Sequence, residues 1–504
     1  MSYSIELIKL KIRQALLLAA KSLKKSKLQA PALREKKNFF RREIKVPVFI
    51  SCLFASIILY AMLVLSLGVG NKNVIILFFG INYKIMFAVT IFIVLCVILF
   101  AMSCRSKLEK TILQDPDAVV LLCFLFVISV LVVRIAKNYF SIFVAPMPAF
   151  SLMAAMLLSL KIGILYAVLT SIFCAILDDM KFDIFLVILC SSLIAIINYI
   201  KITKRSDFIM SGIKISAMGI VTTSMFFLFN YYDGLSFKTN IFYSVINGPV
   251  SAALLLIFMP FLEKTFSRTT NIKLIELSNF DNPLLKKLML EAPGTYHHSL
   301  TVATIAERAT DAIGENPLLA RAAAYYHDVG KINNPQYFVE NQNTKDNPHD
   351  VLTPSMSSLI LISHVKDGIV LAKEYKIDKA ISDIIEQHHG NSLMLYFYNK
   401  ALEADDNTEP RNFRYPGRKP QTKISLIVML SDACEAACRT IDEPTPVRIS
   451  EMVSKIVESK FSDNQFDDCP ITLKELTIIK ENIVTVLTGI YHGRIEYKET
   501  ADEK

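Results

Sequence analysis

The stretch Ala324-Tyr325-Tyr326-His327-Asp328-Val329-Gly330-Lys331 organises the reading of this 504-residue chain. Adjacent His327 and Asp328 offer an imidazole and a carboxylate from one backbone turn, and the two oxygens of Asp328 can bridge two metal ions. A His-Asp pair by itself says little, but its company says more. Of eight histidines, seven fall between positions 297 and 389: His297, His298, His327, His349, His364, His388 and His389. Such crowding is hard to reconcile with histidines used only as core or surface filler.

Around this stretch the chain reads as all-α. From 271 to 400 no alternating strand pattern persists, and Ser299 to Ile313, Pro317 to Tyr326, Ser355 to Tyr375 and Lys379 to His389 show helical apolar spacing. The segment 403 to 420, with Pro410, Pro416, Gly417 and Pro420, reads as a loop. Helices resume at Thr422 and again near Ile449 and Leu473. His298, His327, Asp328, His364, His388, His389 and Asp432 thus fall on separate helices that can converge on one pocket. Imidazoles with bridging carboxylates suit Fe, Mn or Zn, and the absence of Cys from the set argues against a structural zinc site. Two divalent ions roughly 3.5 to 4 Å apart are a known solution for phosphate-ester hydrolysis. One ion needs only three or four of these seven ligands, so the surplus favours two.

Outside this region the chain changes character. It is 53% hydrophobic with a positive mean hydropathy, too apolar for an ordinary soluble protein. The excess lies in residues 46 to 262, where apolar runs predict about eight spans: 46–69, 85–102, 118–135, 147–160, 162–177, 183–200, 208–229 and 241–262. The fourth and fifth are short and nearly contiguous through Lys161; two spans and one broken re-entrant hairpin both return the chain to the same side. Residues 263–504 form the soluble domain, joined to the last span by the polar stretch Glu263 to Thr270.

The net charge of +9 sits almost wholly in residues 1–45, which hold 13 Lys or Arg against Glu6, Glu35 and Glu43. This arm reads as a basic helix on an anionic inner leaflet or as a solvated arm, and not as a cleavable signal. It also excludes a nucleic-acid groove in the catalytic part. Lys and Arg favour the loops on the arm's side, which predicts both termini in the cytosol of a multi-pass cytoplasmic-membrane protein. The nine cysteines contain no C-x-x-C pair and read as reduced.

Thr295-Tyr296-His297-His298-Ser299, His327-Asp328-Val329-Gly330-Lys331, Phe338-Val339-Glu340-Asn341-Gln342, His364-Val365-Lys366-Asp367-Gly368, His388-His389-Gly390 and Ser431-Asp432 together carry a resemblance. The chain resembles the membrane-bound HD-domain phosphohydrolases of the PgpH type, seven-transmembrane-receptor HD hydrolases that cleave cyclic di-AMP. The flanking Glu291-Ala292-Pro293-Gly294-Thr295 and Arg414-Tyr415-Pro416-Gly417 runs strengthen it. The resemblance implies a polytopic helix bundle followed by a cytosolic all-helical HD domain, and a phosphodiesterase giving linear pApA. It implies one metal held by His298, His327, Asp328 and Asp432, and a second held by His364, His388, His389 and the other oxygen of Asp328. Lys331 would face a phosphate oxygen; a helix-terminal surface lysine is its plain alternative. His297 is expected to pack or orient its neighbour, and His349 to line the pocket mouth or cap a turn.

The family usually carries a large extracellular domain between its first two spans, where this chain has about 15 residues. Ile424 replaces a usual Glu and Ser431 a usual Ala. The expected partners are a cyclic dinucleotide and the lipid bilayer, without a nucleic-acid polymer; a homo-oligomer is compatible with this reading. Alternatives are an HD hydrolase acting on another nucleotide and a non-catalytic membrane receptor. A cyclic di-GMP enzyme fits less well, since no Gly-Tyr-Pro run follows His388-His389-Gly390-Asn391.

Overall fold

The computed structural model describes residues 115–491, except 179, 198, 200, 201, 343–346 and 404–407. The basic arm and the expected spans 46–69 and 85–102 lie outside the described residues. Among these residues there is no strand, only one isolated bridge between Leu393 and Arg414.

The apolar part begins with α1, Pro116–Tyr139, capped by the Asp115 carboxylate and started by a proline at its first turn. A 3-10 turn, Ile142–Val144, leads into α2, Met147–Leu157, and then α3, Leu160–Leu177. The break between the two short apolar segments falls at Leu158-Ser159 rather than at Lys161. Ser159 Oγ accepts from the Ile162 N–H at 3.3 Å, the natural work of a serine at a helix start, while Lys161 sits comfortably inside the helix.

At 11 residues α2 rises only about 16 Å, half the hydrocarbon thickness, so irregular backbone before it must lie at membrane depth. Such backbone is tolerated only where protein satisfies it. Here Asn247 Nδ2 donates to both Phe143 O and Ala145 O at 2.8 Å, and Ser251 Oγ steadies its amide oxygen at 3.0 Å.

Next come α4, Phe182–Ile197, α5, Asp207–Leu228, and α6, Gly234–Thr265. Asp233 caps α6 through the Ser236 N–H, so the helix starts earlier than its apolar run and, at 32 residues, outreaches the bilayer. It packs on α5 through small residues. A Cβ on Gly248 would come within 2.1 Å of Gly212 O, a closeness that only glycine permits.

The soluble part follows almost without slack. In α7, Asn271–Leu277, Ile272 is buried in the core of the membrane helices, while Leu274 and Leu277 enter the core of the soluble domain. Arg205 pairs with Glu276, Arg268 with Asp115, and Thr270 Oγ1 donates to the buried Glu263. The rest is helical: α8, Pro283–Glu291; α9, Pro293–Ala312; α10, Pro317–Tyr326; α11, Pro354–Glu374; α12, Lys379–Gln387; α13, Leu395–Leu402; α14, Lys423–Cys438; α15, Pro446–Ser462; and α16, Leu473–Tyr491.

Five described helices are long and apolar enough to cross a membrane: α1, α3, α5, α6 and α11. Length and composition mislead for α11, because it carries His364 into a cluster of histidines from the soluble core. Helix α9 starts at Pro293, six residues before its apolar periodicity, because proline is accepted at the first helical position.

Candidate metal centre

Asp328 stands at the end of α10 with 1% of its surface exposed. Its two oxygens face opposite groups. Oδ2 lies 3.2 Å from His327 Nε2 and 3.7 Å from His298 Nε2; Oδ1 lies 3.4 Å from His364 Nε2 and 3.6 Å from His388 Nε2. Asp432, on α14, puts Oδ1 3.0 Å from His298 Nε2 and 3.7 Å from His327 Nε2, and Oδ2 3.6 Å from His389 Nδ1. Two quartets of donor atoms result, each within 4.8 Å: His298, His327, Asp328 and Asp432; and His364, His388, His389 and Asp328. All seven residues singled out in the sequence converge here.

The far nitrogens explain the near ones. His327 Nδ1 donates to Ala324 O (2.7 Å), His364 Nδ1 to Leu361 O (2.5 Å) and His388 Nδ1 to Ile385 O (2.8 Å), each one helical turn back. His298 Nδ1 meets Glu435 Oε2 at 2.5 Å. Holding the proton on Nδ1 leaves the Nε2 lone pair facing inward, the orientation of a metal-ligating histidine. His364 Nε2 and His388 Nε2 then lie 3.2 Å apart, lone pair towards lone pair, an arrangement that a shared cation satisfies. His327 Nε2 and Asp328 Oδ1 are buried without a hydrogen-bond partner, while Asp328 Oδ2 meets the Lys331 ammonium at 2.7 Å. Buried acceptors converging in this way fit a divalent metal.

The local electrostatics point the same way. Burial alone would depress the His327 imidazole, but the Asp328 carboxylate beside it raises it to about 10, so that without a metal to neutralise that carboxylate a proton takes the Nε2 position. Burial favours the neutral form of both Asp328 and Asp432, yet the facing histidines hold both well below the carboxylate range. The two carboxylates thus demand positive charge. Burial pushes His364 down to about 4, and burial together with His388 holds His389 well below its usual value, so both are neutral donors.

Lys331 ion-pairs with Asp328 Oδ2 and Glu340 Oε1, both at 2.7 Å, beside the Phe338 ring. Burial opposes its charge but the two carboxylates outweigh it. It is not a surface lysine. His297 is exposed against Tyr296 and outside the cluster. His349 belongs to a 3-10 turn, Pro348–Val351, where its ring meets Tyr337 O and the Phe397 ring. Of its two expected roles, the turn prevails.

Four residues gain a role that the sequence did not assign, although Glu340 and Tyr415 stand in the runs that carry the resemblance. Glu435 orients His298 and is itself held by Arg439 and the Tyr491 hydroxyl. It follows Asp432 by three positions on one helical face, a signal that the spacing contained. Glu340 ties Lys331 to Thr295 at the start of α9. Tyr415 stacks on His389, centroids 4.2 Å apart, and Lys460 donates to Ser392 Oγ at 2.9 Å. These, with Arg439, line a cavity of about 600 Å³ in front of the cluster. Glu435→Gln is expected to weaken metal binding by ~10- to 100-fold while preserving the fold, since outer partners of ligating histidines carry effects of that size. Metal titration of the purified variant checks it.

A bundle of membrane helices joined to a helical domain with this His/Asp centre defines a membrane-anchored HD-domain protein. Residues 83–270 match the family described as 7TM receptor with intracellular HD hydrolase, and residues 295–437 match the HD domain. The chain belongs to this 7TM HD-hydrolase family. It is 41% identical over 357 residues to the cyclic-di-AMP phosphodiesterase PgpH of Bacillus subtilis (strain 168), covering 68% of this chain and 50% of the relative. It is 37% identical over 405 residues to PgpH of Listeria monocytogenes serotype 1/2a (strain 10403S), covering 79% and 56%. The chain thus spans about half the length of the curated relatives it matches. A solved structure of the L. monocytogenes PgpH HD domain in complex with cyclic-di-AMP is 48% identical; the match covers 42% of this chain and 100% of that one, with a TM-score of 0.42.

Proposed function

We propose that this chain is a membrane-bound, metal-dependent phosphodiesterase that hydrolyses cyclic di-AMP to linear pApA. The carrying observation is Asp328, whose two buried oxygens each face a separate set of donors. On this reading His298, His327, Asp432 and Oδ2 of Asp328 hold one ion, and His364, His388, His389 and Oδ1 hold the other. Iron or manganese suits this mixture of imidazole and carboxylate. Such a pair, when bound, supplies an acidified water and neutralises phosphoryl charge.

The protein's own residues provide the remainder. Lys331 directs its ammonium at the cavity from between Asp328 and Glu340, ready to meet a phosphate oxygen. Lys460 and Arg439 add positive charge to the wall, and the Tyr415 ring offers a face for a base. A volume of about 600 Å³ falls within the usual range for a small-molecule site. Both curated relatives carry the name cyclic-di-AMP phosphodiesterase, which supports the substrate.

The proposed organisation is a cytosolic arm, 1–45, a transmembrane domain, 46–262, and a cytosolic catalytic domain, 263–504, in the cytoplasmic membrane. The match over 83–270 begins at the expected span 85–102.

The test combines metal analysis of the purified full-length chain with hydrolysis of a nucleotide panel. Two ions per chain and release of pApA are expected. A fully loaded protein that spares cyclic di-AMP but cleaves another phosphoester moves the answer to a different nucleotide, and one that cleaves none favours a receptor.

A further inference from the structure

A second cavity, of about 580 Å³, lies in the membrane part at the end away from the HD domain. It opens among the end of α1, the 3-10 turn Ile142–Val144, the α3–α4 connection and the start of α6. From Asn240 on its wall to Thr265 at the far end of α6 is about 37 Å at 1.5 Å per residue, more than a hydrocarbon core. The cavity and the metal centre therefore face opposite sides of the bilayer.

Its chemistry is divided. Lys137 and Lys181 both ion-pair with Asp178, at 3.0 and 2.8 Å, which makes one wall ionic. On the other wall stands Asp183, only 2% exposed. The Tyr232 hydroxyl donates to its Oδ2, but its buried Oδ1 has no hydrogen-bond partner. A buried carboxylate at the end of an apolar helix is costly, and one with an unfilled acceptor calls for a donor. Tyr231 and Tyr232, rings 5.4 Å apart, add aromatic faces of the kind that attract cations. The metal-centre reading uses none of these residues.

We propose that this cavity binds a small ligand carrying a protonated amine, which donates to Asp183 Oδ1 beside the two tyrosines. An amino acid would add a carboxylate for the Lys137–Lys181 wall; a plain amine would engage Asp183 alone. The site requires no assumption about the hydrolytic reaction.

The test is calorimetric titration of the full-length protein in lipid nanodiscs with alanine, ethanolamine and putrescine, and with acetate as the amine-free probe. At least one amine is expected to bind, and Asp183→Asn is expected to weaken it at least tenfold while the ligand-free melting temperature stays put. Binding of alanine alone assigns the amino-acid form, and binding of ethanolamine or putrescine the plain amine. Should Asp183→Asn fold poorly, Ser236→Leu fills the cavity without touching the carboxylate and is expected to abolish binding. The proposal is overturned if no amine binds, if acetate binds as well as the amines, or if binding survives both substitutions.

Discussion

Asp328→Ala is expected to empty both halves of the metal centre and to lower the rate of phosphodiester hydrolysis by at least ~100-fold, a barrier increase of about 2.7 kcal/mol. Among the described residues, Asp328 alone belongs to both quartets. Oδ2 faces His298 and His327 while Oδ1 faces His364 and His388, so removing one carboxylate leaves each quartet a ligand short. It also removes half of the negative charge that partners Lys331, although Glu340 still holds that ammonium. His364→Ala supplies the contrast, because His364 belongs to one quartet only and its loss should spare the metal held by His298, His327 and Asp432. Metal counting and rate measurement on both variants check the pair. An Asp328→Ala protein that keeps a tightly bound ion would falsify the bridging role.

Much of this centre was legible before any coordinates. Its ligands are rare residue types gathered in short pairs, and a chain that spends seven of eight histidines within 93 positions announces where its chemistry lies. The periodicity of Pro317 to Tyr326 and of Lys379 to His389 likewise predicts helices that end beside the ligand pairs, and α10 and α12 end there, with His327 and His388 as their caps. What escaped were partners of common type brought from far along the chain. Glu435 meets His298 across 137 positions, and Lys460 meets Ser392 across 68. The spacing of Glu435 from Asp432 hints at a shared face but does not name His298 as its partner, and a lysine such as Lys460 carries no local signal, since both types abound on solvated helix faces. In the membrane part, apolar runs located the helices but not their ends. Those are set by Ser159, Asp233 and the amide of Asn247, polar side chains whose hydrogen bonds decide where helical backbone stops and starts.

The same distinction between ligands and what positions them yields a second large effect, at Gly330. This glycine lies two residues after Asp328 in the 3-10 turn Val329–Asn333, which packs against α11 at His364 and Gly368. A Cβ placed on Gly330 would lie 1.8 Å from His364 O and 2.5 Å from Gly368 N, both backbone atoms. Neither can swing aside as a side-chain tip would, so either α11 or the turn must shift by more than 1 Å. Overpacking of this kind typically costs about 1 to 3 kcal/mol of stability. The functional cost is larger, because a displacement of that size at a reacting centre is worth ~100-fold in rate. Gly330→Ala is therefore expected to lose the ion held by His364, His388 and His389 and ~100-fold in hydrolysis. The quartet of His298, His327, Asp328 and Asp432, anchored on α9, α10 and α14, should retain its ion. Gly294→Ala is the matched comparison: its Cβ would come within 1.8 Å of Glu340 O, disturbing the partner of Lys331 rather than any proposed ligand. That variant should keep both metals and lose rate alone. Metal content, melting temperature and rate measured together separate the two, and a Gly330→Ala protein with full metal content and unaltered rate rules out the positioning role assigned to this turn.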